Sequence, residues 1–599
     1  MNRRNFVKAA ALIPLAAGAA PLSLAAPFAA DAGSVPAQKA AQGPLRDRFE
    51  LTLRRVLHGD SPAYTQEFIL ADVRPTPERR FTEYSGDVSG RYIGALATAA
   101  QVYGAQAPGP DAPDPDAPGL NELVAKVIAL QKPDGYFGAA FHYDQPADAD
   151  MALLWGNGRL LVGLVEYYRL RPSAPVLAAC RRIGDFLVRI GPMMLSSRMR
   201  ESFGAQHFAS SYICWTQQTE GLANLYMVTK DDRYRTLAEQ VAAVIERRPG
   251  DHVHGYLTSL RGVMDIHGVT GDPRLLRQCE AAWQDVAESK DLLITGGVPE
   301  GWSPNNHRTE GCAEADWVRL NLALWQATGK AQYLAMAERA IFNEFAFNQF
   351  ATGDFGHRVY TDTGLPAGGA ARAWWCCTLH GLRCFPAIQQ SAYRSRDGEL
   401  FLDLPVDGRV ESAALSAIAV SSLTQDGTVR ITISAVGNQP AAINIRRPQW
   451  AETVKLRING APINAPLADG YLRLRRSWAA GDVVQLQYEM PLRSEPQQDS
   501  RVVYSIGPWL LGAAASDNPA YFNELTVRNR LLDAGKVEPA APPRAAQRFR
   551  VPVAAANFRY AQAEYPDQPG IVSLRALAEQ TAQPTTSWEL KLLNEKNNA

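Results

Sequence analysis

Ile266-His267-Gly268-Val269-Thr270-Gly271-Asp272 closes one apolar-periodic segment and opens another, and the same pattern stands twice more in the chain. Leu225-Tyr226-Met227-Val228-Thr229-Lys230-Asp231 precedes it, and Leu324-Trp325-Gln326-Ala327-Thr328-Gly329-Lys330 follows it. Each predicts a helix, a tight turn of Thr-Gly type and a helix running back, the mark of stacked helical hairpins. The threonines are spaced by 41 and then 58 residues, which argues against an open regular solenoid. The expected architecture over 45–395 is therefore a closed (α/α)6 toroid. Its cavity, lined by inner-helix ends and the loops between them, suits a sugar-sized ligand. Apolar residues at helical spacing from Leu160 to Tyr168 and from Val318 to Trp325 agree with this.

After Leu400 the period changes to that of strands. Thr428 to Ser434 alternates, and Val454 to Ile458 runs into Asn459-Gly460, a hairpin turn whose residues both accept positive φ. Tyr471 to Leu474 and Val483 to Leu486 continue the series, and Arg501 to Leu511 predicts a strand pair around Gly507-Pro508. The class is α+β multidomain: toroid, then a β-sandwich over 400–515, then a C-terminal β unit over 516–599 that contains a Pro/Ala-rich stretch from Val537 to Ala546.

Residues 1–30 read as an export signal. Arg3-Arg4-Asn5-Phe6-Val7-Lys8 leads into an Ala-rich apolar run broken by Pro14, Pro21 and Pro27, a pattern of the twin-arginine type. The expected location is periplasmic or secreted, with no membrane span in the mature chain. Acidic and basic residues balance at 61 each with no basic block, so nothing recommends nucleic acid as a partner. A carbohydrate substrate and a monomer or homodimer are expected instead. Seven cysteines are an odd count and far too sparse for a disulfide-stapled scaffold. Cys180, Cys214, Cys279 and Cys384 stand singly in apolar surroundings and read as small buried hydrophobes.

The other three carry chemistry. Glu310-Gly311-Cys312 and Trp374-Trp375-Cys376-Cys377 together supply three sulfurs and one oxygen, a donor count that suits a tetrahedral zinc ion. Spacing alone equally fits a vicinal disulfide or two unrelated buried thiols. Ten residues before Glu310, Glu300 follows Gly296-Gly297-Val298-Pro299 and precedes Gly301-Trp302. A carboxyl in such an apolar rim suits acid work over a sugar ring, and a solvated surface turn is the alternative. His252, His254 and His357 can bind hydroxyls or serve structure.

These motifs, with Arg447-Pro448-Gln449-Trp450, Gly470-Tyr471-Leu472, Trp478-Ala479-Ala480-Gly481-Asp482 and Gly507-Pro508-Trp509 downstream, resemble the cysteine glycosidases of the β-L-arabinofuranosidase group, glycoside hydrolase families 127 and 146. The resemblance implies a retaining glycosidase with Glu310, Cys312, Cys376 and Cys377 on zinc, Cys376 as nucleophile and Glu300 as acid/base. It implies exo-cleavage of a terminal glycoside such as a β-L-arabinofuranoside. Some members of the group carry a further cysteine two positions before the nucleophile, where this chain has Trp374. Trp155, Arg159 and Trp215 stand where well-known members have pocket histidines, and Asp87, His252, His254 and Tyr360 are further residues expected to touch substrate. Two other readings fit the same toroid: a carboxylate-only hydrolase or lyase with structural zinc, and a non-catalytic glycan-binding protein.

Overall fold

The structure, a computed structural model, describes residues 44–514 except 75–82, 104–118, 204–210, 305–307, 360–371, 413, 438–439 and 497–500. Beyond these it describes the tail segments 538–540, 548–553, 558–560, 563–565, 570–579, 586–587 and 590–591. The expected export signal and Tyr360 lie outside the described residues.

Among the described residues, six helices pack side by side in a closed ring: Asp87–Tyr103, Asp148–Leu170, Gln218–Thr229, Val253–Thr270, Gly311–Thr328 and Trp375–Ala392, the last touching the first again. Six further helices, Pro44–His58, Leu120–Ile128, Ala174–Met194, Asp232–Ala242, Pro273–Glu288 and Ala331–Ala340, lie outside them. This is the (α/α)6 toroid. Inner and outer helices differ in sequence for a physical reason. Pro273–Glu288 buries Leu275, Cys279, Trp283, Val286 and Ala287, a single stripe facing the ring. Asp148–Leu170 is buried on every side from Asp150 to Tyr167. An inner helix therefore carries small residues where its neighbours approach and must partner every polar group it buries.

The three predicted hairpins form as expected. Their first helices end at Thr229, Thr270 and Thr328, and the next residues, Lys230, Gly271 and Gly329, adopt φ of 55°, 68° and 66°. The left-handed residue turns the chain back into helices beginning at Asp232, Pro273 and Ala331.

Strand Tyr393–Arg396 leaves the last inner helix directly and opens a sandwich of two sheets. One sheet orders Ala461–Ile463, Val454–Ile458, Val483–Tyr488, Thr428–Val436, Leu415–Ser422 and Gly408–Val410; the other orders Leu467–Ala468, Tyr471–Arg476, Ala441–Arg446, Glu399–Leu402 and Tyr393–Arg396. Asn459 and Gly460 take φ of 51° and 84°, as the predicted hairpin requires. The sheet that follows departs from the expected division at 515/516. Leu492–Pro496, Arg501–Ile506 and Trp509–Ala514 belong to one sheet with Gly570–Ala576, Arg548–Val553 and Glu538–Ala540. The reason is pairing across distance: Leu511 registers with Ala576, a partner that local alternation cannot indicate. This sheet docks on the toroid through Asn343 in the π-turn Ile341–Phe345. Its amide donates to Pro508 O (2.9 Å) and its carbonyl accepts from Leu510 N (2.6 Å).

Candidate active site

Glu310 ends the strand Arg308–Glu310 and caps the inner helix Gly311–Thr328, which places Cys312 in the first helical turn. Trp374 caps the neighbouring inner helix, Trp375–Ala392, so Cys376 and Cys377 also lie in a first turn. Unspent N–H groups and the positive end of the helix dipole at both places favour negative charge. Gly311 sits where the two helices meet. A β-carbon there would stand 2.9 Å from Cys377 Cβ and 2.9 Å from Asn348 Oδ1, so only glycine lets the pair approach.

Glu310, Cys312, Cys376 and Cys377 each offer a ligand atom, all within 4.8 Å of one another. The Cys376 and Cys377 sulfurs are 3.9 Å apart, and Cys377 Sγ is 3.9 Å from Glu310 Oε1. With Zn–S bonds of about 2.3 Å, a tetrahedral site separates its sulfurs by about 3.8 Å, which the Cys376–Cys377 spacing matches. All three cysteines are buried, Cys376 least so, at 8% exposed against none for Cys312 and Cys377. Their acidities differ. Burial raises all three and prevails in Cys312 and Cys377, both well above the ordinary thiol range. In Cys376 the opposing hydrogen bonds from Cys312 and Cys377, with the Arg91 guanidinium, bring the thiol well below that range.

Glu300 reaches the site by backbone pairing. Its N–H donates to Arg308 O (2.8 Å), its carbonyl accepts from Val253 N (2.8 Å), and Pro299 and Gly301 bridge to Thr309 and His252. The loop is thereby held between the strand ahead of Cys312 and the start of the helix Val253–Thr270. The surroundings of Glu300 are more polar than the apolar rim expected for it. Arg308 is ion-paired to the carboxylate, with Nη2 2.8 Å from Oε1, and His357 Nε2 stands 3.6 Å away. Trp302, two residues on from Glu300, is buried between Tyr256 and the Arg247 guanidinium.

His252, Glu300 and Glu310 come within 4.8 Å of one another, and His252 Nε2 is 3.0 Å from Glu310 Oε2. Burial opposes the Glu310 carboxylate, but His252, with His254 and His357, holds it far below the usual carboxyl range. His357 pairs with Glu310 across the strands Arg308–Glu310 and Gly356–Val359. Burial, aided by Arg308 and Arg372, lowers its imidazole below the ordinary range. The side chains at this wall therefore come from helix starts, one short sheet and the loop that carries Glu300.

Behind the wall lies a chain of buried charge that absorbs several residues expected to touch substrate. Asp87 Oδ1 accepts from Arg91 Nε (2.7 Å) and from Trp155 Nε1 (3.0 Å). His254 Nδ1 donates to Asp316 Oδ2 (2.6 Å), and Arg261 joins Asp316 (2.7 Å) to Glu220 (2.6 Å). Arg159 Nη1 donates to Glu220 Oε2 (3.0 Å). Asp87, Trp155, Arg159 and His254 thus spend polar atoms on partners within this buried network. Trp215, in the short helix Ile213–Thr216, is wholly buried.

Sequence reasoning passed over Arg91, Asp316 and His380, although a signal was present. Asp316 is four residues after Cys312, His380 four after Cys376 and Arg91 four after Asp87, the spacing that puts two side chains on one helical face.

Residues 81–390 match the family model described as beta-L-arabinofuranosidase, GH127 catalytic domain, and residues 399–490 match that of the GH127 middle domain. Comparison with curated proteins finds no match. Among solved structures the chain is similar to a GH127 β-arabinofuranosidase at 16% identity, over 93% of this chain and 97% of that one, with a TM-score of 0.73. It is also similar to a GH127 β-L-arabinofuranosidase from Geobacillus stearothermophilus at 18% identity, over 92% and 99%, with a TM-score of 0.68. At these identities the likeness establishes the fold.

Proposed function

The chain belongs to the GH127 β-L-arabinofuranosidase family and is a glycoside hydrolase, and from that premise we propose a retaining exo-glycosidase that works through the Cys376 thiolate on a terminal β-L-arabinofuranoside or a related sugar. The observation that carries this reading is the coincidence of least burial and greatest acidity at one residue. Cys376 is the least buried of the three clustered cysteines, and it alone is drawn toward the thiolate form.

Cys376 Sγ attacks the anomeric carbon while Glu300 delivers a proton to the glycosidic oxygen, and the leaving group departs. Glu300 then takes a proton from water, whose oxygen attacks the same carbon and returns the electron pair of the C–S bond to Cys376. The ion pair with Arg308 holds the Glu300 carboxylate in place for this second step. His357, beside Glu300, and His252, beside Glu310, are the imidazoles next to these carboxylates and would be the ones to meet hydroxyls of the sugar. Glu310, Cys312, Cys376 and Cys377 would hold a zinc ion, which when bound supplies the positive charge that keeps coordinated thiols deprotonated.

Incubation with aryl β-L-arabinofuranosides tests the reading: it expects release of the phenol, a first-formed sugar of retained configuration, and a glycosyl adduct on the peptide containing Cys376. Inverted product, or retained turnover with no dependence on Cys376, overturns it. The reading includes export, which rests on the twin-arginine pattern at Arg3-Arg4. Replacing both arginines by lysine is expected to keep the protein in the cytoplasm, and unchanged export removes that part.

A further inference from the structure

Arg91 is buried in the inner helix Asp87–Tyr103 with its guanidinium spread over four partners. Nε donates to Asp87 Oδ1 (2.7 Å), Nη2 meets His254 Nε2 (2.9 Å), and Nη1 meets His380 Nδ1 (2.8 Å) and Cys312 Sγ (3.6 Å). A guanidinium only donates, so both imidazoles must turn a lone pair toward it and carry their proton on the other nitrogen. For His254 that proton has a receiver, since Nδ1 lies 2.6 Å from Asp316 Oδ2; His380 Nε2 stands 3.4 Å from the same oxygen, an electrostatic contact without a hydrogen bond. His254, Cys312 and His380 lie close enough together to hold a metal ion. Their inward atoms are already turned to Arg91, and the cation in that space is the guanidinium.

This arrangement meets a need that the thiol set creates. Three thiolates and a carboxylate bring four negative charges against the two positive charges of a zinc ion, and the whole set is buried. Resting on the reading of that set as a zinc site, we infer that Arg91 is its positioning residue, a built-in cation that orients Cys312 and offsets the surplus negative charge of the ligands. The orientation is over-determined, since Trp155 Nε1 holds Asp87 (3.0 Å) and Thr258 Oγ1 holds Asp316 (2.8 Å). Partners of metal ligands at this remove typically alter affinity about 10- to 100-fold.

The test is zinc release from the full-length protein to a chromogenic chelator, followed in parallel with thermal melting and with kcat and KM. Arg91→Met is expected to lose zinc about 10- to 100-fold faster, with kcat lowered more than KM is raised. Arg91→Lys keeps the charge but not the planar fork, and its release rate is expected to fall between the two. If Arg91→Met does not fold, Arg91→Lys decides: release faster than wild type supports the inference, and wild-type release with a lowered melting temperature makes Arg91 merely structural. Equal release from all three proteins overturns the inference while leaving the zinc reading standing. Wild-type protein free of zinc overturns both.

Discussion

Cys376 and Cys377 are adjacent in the chain, yet their sulfurs stand 3.9 Å apart and converge with Cys312 and Glu310 instead of bonding to each other. A disulfide would need about 2.05 Å. The two residues differ in burial, Cys377 being wholly buried and Cys376 8% exposed. Cys376→Ser is therefore expected to cut turnover at least ~10³-fold while the protein stays folded, because it removes the attacking sulfur. Cys377→Ser should act mainly through the metal, with zinc content by mass spectrometry falling well below one equivalent. Equal zinc and equal activity in the two variants would remove the distinction.

Glu300→Gln keeps the hydrogen bond from Arg308 Nη2 but cannot move a proton. Its effect should depend on the leaving group. An alkyl glycoside, which needs protonation, is expected to lose about 10²- to 10⁴-fold in kcat/KM, and a dinitrophenyl glycoside far less. A loss independent of leaving-group acidity would assign Glu300 to positioning only.

Glu220 is wholly buried and accepts from Arg159 at 3.0 Å and from Arg261 at 2.6 Å, with Arg383 at 3.4 Å. Burial opposes its charge, but Arg261, Arg383 and Arg159 hold it well below the usual carboxyl range. Glu220→Ala strands these cations inside the ring and should cost about 3–5 kcal/mol in urea unfolding. Loss of less than about 1 kcal/mol would mean that water reaches the site and solvates the arginines.

Asp407 tests pH linkage away from the active site. Burial raises its carboxyl from 3.8 to about 7, with a backbone hydrogen bond from Arg46 N (3.3 Å) as a weak counterweight. A carboxyl raised on folding binds its proton more tightly in the native state, so the stability it contributes is full below about pH 4 and is lost as pH rises toward about 7. Asp407→Asn should thus stabilise the protein at pH 8, by at most about 4 kcal/mol at 1.36 kcal/mol per unit. The gain should vanish near pH 4. Thermal melts across pH 4–8 check the sign, and a gain independent of pH would contradict it.

Much of the architecture was legible because periodicity is local. The turns at Lys230, Gly271 and Gly329, the helical spacing from Leu160 to Tyr168 and from Val318 to Trp325 and the alternation from Thr428 to Ser434 each depend on residues within a few positions of one another. The zinc-type donor set was legible for another reason. Thiols and a carboxylate grouped at helix starts are chemically unusual, and the motif resemblance extends across both the toroid and the sandwich.

By itself, then, the sequence determined the helical hairpins, the strands after Leu400 and the residue types that do chemistry. Tertiary structure alone decided which cysteine is least buried, that Arg308 pairs with Glu300, that Leu511 seeks Ala576 across the tail, and that Arg91 stands between His254, His380 and Cys312. The physical reason is that a buried charge must be satisfied by whatever neighbours the closed ring supplies. Arg91, His254, Cys312 and His380 come from four different inner helices, and no local pattern along one of them records the other three.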